Sequence, residues 1–466
     1  MDFKNINSIY FLGIGGIGMS ALARYFKTLN KNVCGYDKTP TALTDALIQE
    51  GIKIHFEDDI SFFQNKIKDA KENILVVFTP AIPKDHKEYN YFLNENYILK
   101  KRSEVLGIIT QNTYTLAVAG THGKTTTSSI LAHILKSAGK DCSAFLGGIT
   151  QNYNSNFLLS ENKNALGPTV VEADEYDRSF LTLHPDISII TSVDADHLDI
   201  YSEHKFLRES FEMFANQTKD GGFLISKKGL EFALPQNEKI KDYSYSLREK
   251  TDFNATNIRI ENGNYVFDLE SVIENVKDVE YPFPGLHNVE NAIAASAAAQ
   301  LYGVSASELK NALLTFKGVK RRFDYRIKTN ELIFIDDYAH HPEELKACIT
   351  SVKAMFPDKK ITGIFQPHLF SRTRDFADGF AKSLDLLDET ILLDIYPARE
   401  LPIEGVTSNM LLQRMKSSNK AICSKQELIA EVVKRKPEIL LTLGAGDIDK
   451  LVEPLEAALK KMFQLN

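Results

Sequence analysis

The sequence lacks the features that would mark a membrane protein or a disulfide-stabilised secreted protein. No apolar run approaches the ~18 residues that a membrane-spanning helix requires, and no basic segment followed by an apolar segment stands at the start. The four cysteines, Cys34, Cys142, Cys348 and Cys423, lie far apart and form no C-x-x-C pair. We therefore expect no membrane insertion, no disulfide framework and no zinc knuckle, and this cysteine usage fits a reducing cytoplasm.

An excess of basic charge is also missing. Lys and Arg number 55 against 62 Asp and Glu, which gives a formal net charge of -7. This balance argues against a general nucleic-acid binder, because such proteins neutralise phosphates with clustered Lys and Arg. It does not exclude a small anionic substrate, which a glycine loop can bind locally. The 466 residues are too many for one core, and we expect three domains, 1–108, 109–319 and 320–466.

The most specific motif is a glycine loop in the predicted second domain. An apolar, β-branched run ending at Val118 precedes it and a helical pattern from Ser128 follows it, which is the context of a phosphate-binding loop. Lys124 can reach the β- and γ-phosphates of ATP, and the Thr125 hydroxyl can bind Mg²⁺. The simpler alternative is a glycine-rich turn without a ligand. The residues that this motif assigns to ATP are Gly120, Thr121, His122, Gly123, Lys124, Thr125 and Thr126.

Two predicted strands further along, ending near residues 171 and 193, each lead into an acidic cluster. Strand ends in a phosphate-loop fold lie near the loop, where carboxylates hold Mg²⁺ or its waters. The alternative is that acidic residues simply begin solvated loops. We assign Glu172 and His197 to the metal together with Thr125. Because Mg²⁺ prefers oxygen ligands, His197 would act through water or favour Mn²⁺.

A second glycine motif lies near the N-terminus. The predicted strand Ser8–Leu12 runs directly into a G-x-G-x-x-G turn, and Asp37 ends the next predicted strand, Asn32–Tyr36. Alone, this pattern suggests NAD with Asp37 on a ribose hydroxyl, although a general nucleotide-diphosphate site fits equally well. The predicted ligand contacts are Gly15, Gly16, Ile17, Gly18, Met19, Ser20 and Asp37.

The last third of the chain alternates strands and helices, and every predicted strand ends in a polar cluster, as in a doubly wound sheet that binds ligands along its carboxyl edge. Paired His and paired Arg at such an edge suit carboxylate recognition. Within the second domain, residues from about 220 to 280 predict a small sheet insertion. Asn288 and Asn291 then share a helix face, where their amides suit adenine or phosphate oxygens, with helix capping by Asn288 as the alternative.

With these motifs in place, the chain resembles the Mur ligases over its whole length. The motifs that carry the resemblance are Gly13–Ser20, Gly120–Thr127, Glu172–Phe180, Asp196–Asp199, His287–Ala292, Arg321–Phe323, Asp336–Pro342 and Gln366–His368. The resemblance implies an α/β protein of three domains: a Rossmann-like N-terminal domain, a central P-loop ATPase-like domain and a C-terminal Rossmann-like domain. It also implies UDP, rather than NAD, on the first glycine motif.

The resemblance further implies a cytoplasmic enzyme of peptidoglycan synthesis, acting as a monomer or homodimer. ATP would drive the joining of L-alanine to the lactyl carboxylate of UDP-N-acetylmuramate through an acyl phosphate. A related family member that adds a murein tripeptide during cell-wall recycling is the alternative within the family. Outside it, the alternatives are a NAD-dependent oxidoreductase and a nucleotide-switched binding protein.

The resemblance also implies roles for single residues. Lys124, Mg²⁺ and Arg322 would neutralise negative charge in the transition state, and Glu172 and His197 would be the metal-linked pair. The nucleotide contacts would be Asn288, Asn291, Arg322 and, near the ribose, Asp337. The amino-acid substrate would meet His341, Arg372 and Arg374. Two positions depart from the family pattern: Leu369 where an arginine is frequent, and Glu57-Asp58 where Gly-His is frequent.

Overall fold

The computed structural model describes residues 3–160, 167–194, 201, 204–261, 263–398 and 400–465. Its contacts divide the chain into two compact units. The first unit contains most residues up to Lys317, and the second contains Gly318 onward together with Phe283–Val289. No helix among the described residues is long and apolar enough to cross a membrane.

The first unit begins with a five-stranded parallel sheet of order β3-β2-β1-β4-β5. Its strands are β1 Ser8–Leu12, β2 Asn32–Tyr36, β3 Lys53–His55, β4 Ile74–Phe78 and β5 Ile98–Lys101. Its helices are α1 Ile17–Thr28, α2 Ala42–Gln49, α3 Ser61–Lys66, α4 Lys87–Asn94 and α5 Arg102–Gln111. The central strand β1 is buried along its whole length, as its continuous apolar run predicts for a sheet covered on both faces.

The first unit also contains a ten-stranded sheet of order β15-β14-β13-β12-β11-β10-β6-β9-β7-β8. Its strands are β6 Thr115–Ala119, β7 Ser143–Thr150, β8 Ser155–Leu158, β9 Thr169–Glu172, β10 Ile187–Ile190, β11 Phe223–Lys227, β12 Lys241–Ser246, β13 Phe253–Glu261, β14 Asn264–Ser271 and β15 Val276–Tyr281. Its helices are α6 Lys124–Ser137, α7 His204–Asn216, α9 Ala306–Leu314 and, from Glu290 onward, α8 Leu286–Leu301. The expected strands at 220–280 are present, but β11–β15 extend the ten-stranded sheet and do not form a small sheet of their own.

The two sheets of the first unit are joined through a buried asparagine. Asn156 on β8 is fully buried, and its Nδ2 donates to the carbonyl of Ile17 at 2.6 Å and to the Ser20 hydroxyl at 3.2 Å. Its Oδ1 accepts a 2.6 Å bond from Arg24 Nη1. A buried amide is stable only when its polar atoms are paired. These bonds therefore fix the first turn of α1, and the glycine turn before it, relative to the ten-stranded sheet.

The second unit is built on a six-stranded sheet of order β16-β17-β21-β18-β19-β20, parallel except for β16. Its strands are β16 Asp324–Lys328, β17 Ile333–Asp337, β18 Ile361–Phe365, β19 Glu389–Leu392, β20 Lys420–Ile422 and β21 Ile439–Leu443. Its helices are α10 Pro342–Met355, α11 Phe370–Asp375, α12 Ala377–Leu384, α13 Ser408–Arg414, α14 Leu428–Arg435 and α15 Asp449–Met462.

Candidate active site

The phosphate-type loop joins β6 to α6 in the middle of the ten-stranded sheet. Gly120 and Gly123 have φ values of +140° and +83°, a region that favours glycine. A Cβ atom on Gly120 would lie 2.0 Å from Thr191 Oγ1, and one on Gly123 would lie 2.7 Å from Asn291 Oδ1. Both positions therefore require glycine, because a side chain would collide with Thr191 or Asn291. The same short distance shows that Asn291 lies against the loop.

Hydroxyl groups just after β10 hold the loop in shape. Ser192 Oγ accepts a 2.7 Å bond from the His122 N–H and lies 2.9 Å from Thr121 Oγ1. The Thr191 hydroxyl donates to the His122 carbonyl, and the Asp194 N–H donates to Thr121 Oγ1 at 3.1 Å. Sequence reasoning missed Thr191 and Ser192, although their position beside the predicted acidic cluster was an available signal.

Lys124, the first residue of α6, makes an ion pair beside the loop. Its Nζ donates to the Gly120 carbonyl at 2.6 Å and lies 2.7 Å from Glu175 Oε2. The Glu175 side chain is fully buried. Burial lowers the pKa of Lys124, but the carboxylates of Glu175, Asp174 and Glu172 together outweigh it, so that the net pKa is raised. Lys124 is therefore cationic at neutral pH. Sequence reasoning placed Glu175 in the acidic cluster but gave it no role.

Glu172 ends β9, the strand that pairs with β6, and its carboxylate faces the start of α6. Its Oε1 accepts a 3.0 Å bond from the Thr125 hydroxyl, and its Oε2 accepts a 2.9 Å bond from the Gly147 N–H. The structure thus brings together two of the three predicted metal-facing residues. The third, His197, lies outside the described residues. Among the described residues, no cluster of three or more His, Cys, Asp or Glu forms a metal site.

A cleft of about 260 Å³ links the N-terminal glycine motif to Glu172. Gly16, Ile17, Gly18 and Met19 line it together with Glu172. Four of the predicted substrate residues therefore share a cavity with a predicted metal-facing carboxylate. Arg102 also lines this cleft and was not predicted from the sequence.

The remaining predicted residues of the N-terminal motif contact the protein itself. Asp37 Oδ2 accepts a 2.7 Å bond from the Gly15 N–H, and Asp37 Oδ1 accepts a 3.1 Å bond from the Thr39 N–H. The buried Ser20 hydroxyl donates to the Ile17 carbonyl at 2.9 Å. Asp37 therefore shapes the glycine turn, and a contact between its carboxylate and a ribose stays a prediction.

In the second unit, two consecutive arginines lie against the ring of Tyr338, which follows the end of β17. The Arg321 and Arg322 guanidinium carbons lie 4.9 and 5.0 Å from the centroid of the Tyr338 ring. Arg321 also donates to the Gly444 carbonyl at 2.7 Å and lies 3.5 Å from Asp336 Oδ2. The contacts with Gly444 and Asp336 therefore hold Arg321 in place within the second unit.

Asp337, the last residue of β17, is held by two backbone donors. Its Oδ2 accepts a 2.7 Å bond from the Phe323 N–H, and its Oδ1 accepts a 2.8 Å bond from the Ala339 N–H. Burial raises the pKa of Asp337 to about 6, although Arg322 and both N–H donors lower it in part. The carboxylate therefore fixes the turn after β17, and its predicted contact with a ribose stays a prediction.

The two histidines that follow are anchored by Glu344 on α10. Glu344 Oε2 accepts bonds from the backbone N–H groups of His340 and His341, at 3.0 and 3.2 Å. Burial lowers the pKa of His340 to about 4, against the attraction of Glu344. The buried His341 ring packs 4.7 Å from the Phe376 ring, measured between centroids. Sequence reasoning missed Glu344, which holds both histidines.

The predicted arginines after β18 have different environments. Arg372 Nη1 lies 3.5 Å from His368 Nδ1, and the His368 ring stacks on Tyr396 with centroids 5.8 Å apart. Arg374 is more than half exposed and pairs with its neighbour Asp375 at 2.7 Å. The structure therefore groups Arg372 with His368 and leaves the contribution of Arg374 a prediction.

Both departures from the family pattern have local structural consequences. Leu369 has a φ of +69°, a region that a leucine rarely adopts, and its N–H donates to the Tyr396 carbonyl at 2.9 Å. Asp58 accepts bonds from the N–H groups of Lys87 and Glu88, at 2.8 and 3.0 Å. Asp58 thus stabilises the N-terminus of α4, while Leu369 sits in a constrained turn.

The two predicted asparagines on α8 are both placed by the structure. Asn291 lies against the phosphate-type loop, close to Gly123. Asn288 is buried, and its Nδ2 donates to the Pro284 carbonyl at 2.5 Å. Its side chain therefore contacts the segment that enters the helix, and its role toward a nucleotide stays a prediction.

The raised pKa of Asp337 predicts a pH dependence of stability. Between about pH 4 and pH 6 the folded protein binds a proton at Asp337 that the unfolded chain has released, so this group's contribution to stability falls as the pH rises. We expect the free energy of unfolding of wild type to fall relative to that of Asp337→Asn as the pH rises from about 4 to about 6. Urea unfolding followed by circular dichroism would measure both. The buried, neutral His340 and His287 act in the opposite direction, so the comparison is made at each pH. A difference that does not change with pH would contradict this.

Comparison with known proteins gives a consistent result along the chain. The model of the Mur ligase family catalytic domain matches residues 8–114, that of the Mur ligase middle domain matches residues 118–299, and that of the Mur ligase glutamate ligase domain matches residues 321–446. The predicted boundaries near residues 108 and 319 stay predictions.

Individual relatives are similar over their full length. The chain is 51% identical over 466 residues to the UDP-N-acetylmuramate–L-alanine ligase of Flavobacterium johnsoniae, with 100% of both chains covered. It is 50% identical over 464 residues to the enzyme of the same name from Parabacteroides distasonis, again with 100% of both covered.

Solved structures agree with the fold. The UDP-N-acetylmuramate–alanine ligase of Thermotoga maritima has a TM-score of 0.80 and 27% identity, covering 98% of this chain and 99% of that one. A murein peptide ligase from Psychrobacter arcticus has a TM-score of 0.71 at 24% identity, covering 97% and 98%, a likeness of fold alone. The predicted three-domain α/β fold is confirmed, and the chain belongs to the Mur ligase family.

Proposed function

We propose that this chain is an ATP-dependent ligase that joins L-alanine to the lactyl carboxylate of UDP-N-acetylmuramate in peptidoglycan synthesis. The observation that carries the proposal is the loop with a buried Lys124–Glu175 ion pair and the adjoining Thr125–Glu172 hydrogen bond. The full-length identity of 51% to a UDP-N-acetylmuramate–L-alanine ligase supports the choice of substrates.

The proposed reaction has two steps. A lactyl carboxylate oxygen attacks the γ-phosphorus of ATP, the bond to ADP breaks, and an acyl phosphate forms. The amine of L-alanine then attacks the acyl carbon, loses a proton, and expels phosphate through a tetrahedral intermediate. Negative charge meets negative charge in the first step, and Lys124 would offset it because its cation lies beside the loop that cradles the phosphates.

We assign the metal to the Thr125 hydroxyl and the Glu172 carboxylate, which lie 3.0 Å apart at the start of α6 and the end of β9. Both are oxygen donors, as Mg²⁺ prefers, and Mg²⁺ is commonly held by one or two carboxylates together with substrate phosphates. When bound, the ion would reduce the charge on the phosphate oxygens. His197 belongs to the same proposal.

We assign the remaining predicted residues by their chemistry. Arg322, Asn288, Asn291 and Asp337 are proposed to contact the nucleotide. His341, Arg372 and Arg374 are proposed to recognise L-alanine, since cationic and imidazole side chains suit its carboxylate and amine. The Gly15–Ser20 segment and Asp37 are proposed to bind the UDP portion of the sugar nucleotide.

The alternatives explain less. A NAD-dependent oxidoreductase would use the N-terminal glycine motif and leave the phosphate-type loop without a purpose. A murein peptide ligase shares the fold, but the full-length relatives at 51% and 50% identity are UDP-N-acetylmuramate–L-alanine ligases. Omitting the substrates one at a time separates these functions.

Phosphate release is expected to require every substrate. We expect release from ATP only when UDP-N-acetylmuramate and L-alanine are both present, because the acyl phosphate needs the first and turns over with the second. Phosphate would be measured in a coupled assay with each substrate omitted in turn, and product mass would identify the amino acid added. Release that is unchanged without either substrate would overturn the ligase proposal. A tripeptide accepted in place of L-alanine would favour the recycling alternative.

Lys124→Ala is expected to lower kcat by about 10²- to 10³-fold, the usual cost of removing one group that stabilises transition-state charge. Lys136→Ala, which removes a lysine from the last turn of the same helix, is the matched control and should retain activity. Circular dichroism would verify that both variants are folded. Near-normal turnover by folded Lys124→Ala would contradict the assignment of the loop.

Glu172→Gln is expected to raise the Mg²⁺ concentration for half-maximal activity by about 10- to 100-fold, since the variant loses a charged oxygen ligand. Excess Mg²⁺ should restore part of the rate. Glu231→Gln, at an exposed position, serves as the control. A lower rate with the same Mg²⁺ dependence would remove Glu172 from the metal site.

A further inference from the structure

The cleft between the N-terminal glycine motif and Glu172 has an unusual distribution of charge. Glu172 and Asp174 both line it, and Arg102 is the one basic side chain among the described residues of its lining. The proposed sugar nucleotide carries a diphosphate and a lactyl carboxylate, all of the same sign as the two wall carboxylates. A single cation in this position would therefore have a large influence on substrate binding.

Arg102 lies directly over the first turn of α1. It is the first residue of α5, and a Cβ placed on Gly18 would lie 3.0 Å from both its Cδ and its Nη1. The guanidinium thus lies beside the backbone of a twelve-residue helix at its N-terminal end, where the helix dipole also favours negative charge.

The ion pair that Arg102 makes in the structure is a loose one. Its Nη2 lies 3.7 Å from Asp174 Oδ2, and the two side chains are 22% and 42% exposed. An ion pair this long and this exposed holds a guanidinium weakly. An incoming anion can therefore replace Asp174 at little cost, and phosphate matches the forked donors of arginine well.

We propose that Arg102 binds the diphosphate of the sugar nucleotide against the first turn of α1, and that it exchanges Asp174 for the substrate when it does so. The inference rests on the proposed function for the identity of the ligand. The proposal adds Arg102, at the start of α5, to the residues of the glycine motif that bind the sugar nucleotide.

The test measures binding by calorimetry, without catalysis. Arg102→Gln should weaken the binding of UDP-N-acetylmuramate, UDP-N-acetylglucosamine and UDP by a similar factor of about 10 to 100, the usual cost of losing a charge-assisted hydrogen bond. Arg102→Lys should fall between that variant and wild type. ATP binding should not change. Lys100→Gln, which removes a charge from the adjacent strand β5, is the control and should bind all four ligands as wild type does.

One further variant tests the exchange without removing the arginine. Asp174→Asn should strengthen their binding several-fold, because the substrate would no longer compete with a carboxylate. Weaker or unchanged binding by Asp174→Asn would overturn the proposed exchange.

The remaining outcomes separate this proposal from the proposed function. UDP-N-acetylglucosamine has no lactyl carboxylate, so a loss confined to UDP-N-acetylmuramate would show that Arg102 contacts the carboxylate and would overturn the diphosphate assignment. Equal binding by wild type and Arg102→Gln would overturn the role of Arg102 alone. No binding of any UDP ligand to wild type would overturn the proposed function, and the role of Arg102 with it.

Discussion

The buried ion pair between Lys124 and Glu175 is the interaction on which the site in the first unit depends. An unpaired charge at this depth would be costly, and each partner stabilises the other. Lys124 also donates to the Gly120 carbonyl, so its side chain spans the loop that it follows. Glu175 is anchored in turn, because the Tyr201 hydroxyl donates to its carbonyl at 2.6 Å. The cation is therefore in position beside the loop through contacts within the protein itself.

The order of three strands explains why this pair can form. β6 lies between β10 and β9 in the sheet although it is not consecutive with either in the chain, and the carboxyl ends of the three strands lie at one edge. Ser192, the loop and Glu172 therefore meet there. The apolar runs of the sequence predicted strands, and β1 and β2 have the predicted bounds. The apolar runs did not predict the order in which the strands pair, because a buried strand has the same apolar sequence pattern in any central position of a sheet. For a related reason, the polar segment at 220–280 did not indicate that its strands join the ten-stranded sheet. Half-exposed strands have the same pattern whether they extend a sheet or form a small one.

Side-chain roles within a predicted cluster were harder to predict than the cluster itself. Glu172 is the last residue of β9 and Glu175 lies three residues further on. The backbone path after β9 directs Glu172 to Thr125 and Glu175 to Lys124. Asp37 was predicted to contact a ligand, which stays a prediction, and the bond that its carboxylate accepts from the Gly15 N–H was not foreseen. The position of a polar residue relative to a predicted strand indicates which edge of the sheet it lies at. Its hydrogen-bond partner depends on the conformation of the local turn, which a single sequence does not specify.

The same distinction applies to the two arginines of the second unit. Arg321 is committed to its surroundings, with Asp336, Asp449 and the Gly444 carbonyl all within 3.6 Å. Both guanidinium groups pack near the ring of Tyr338, an attraction between cation and ring that does not consume N–H donors. A planar guanidinium supported on one face keeps its edge for bidentate hydrogen bonds to an anion. The ion pairs of Arg321 therefore favour Arg322, rather than its neighbour, as the residue of this pair that is proposed to contact the nucleotide.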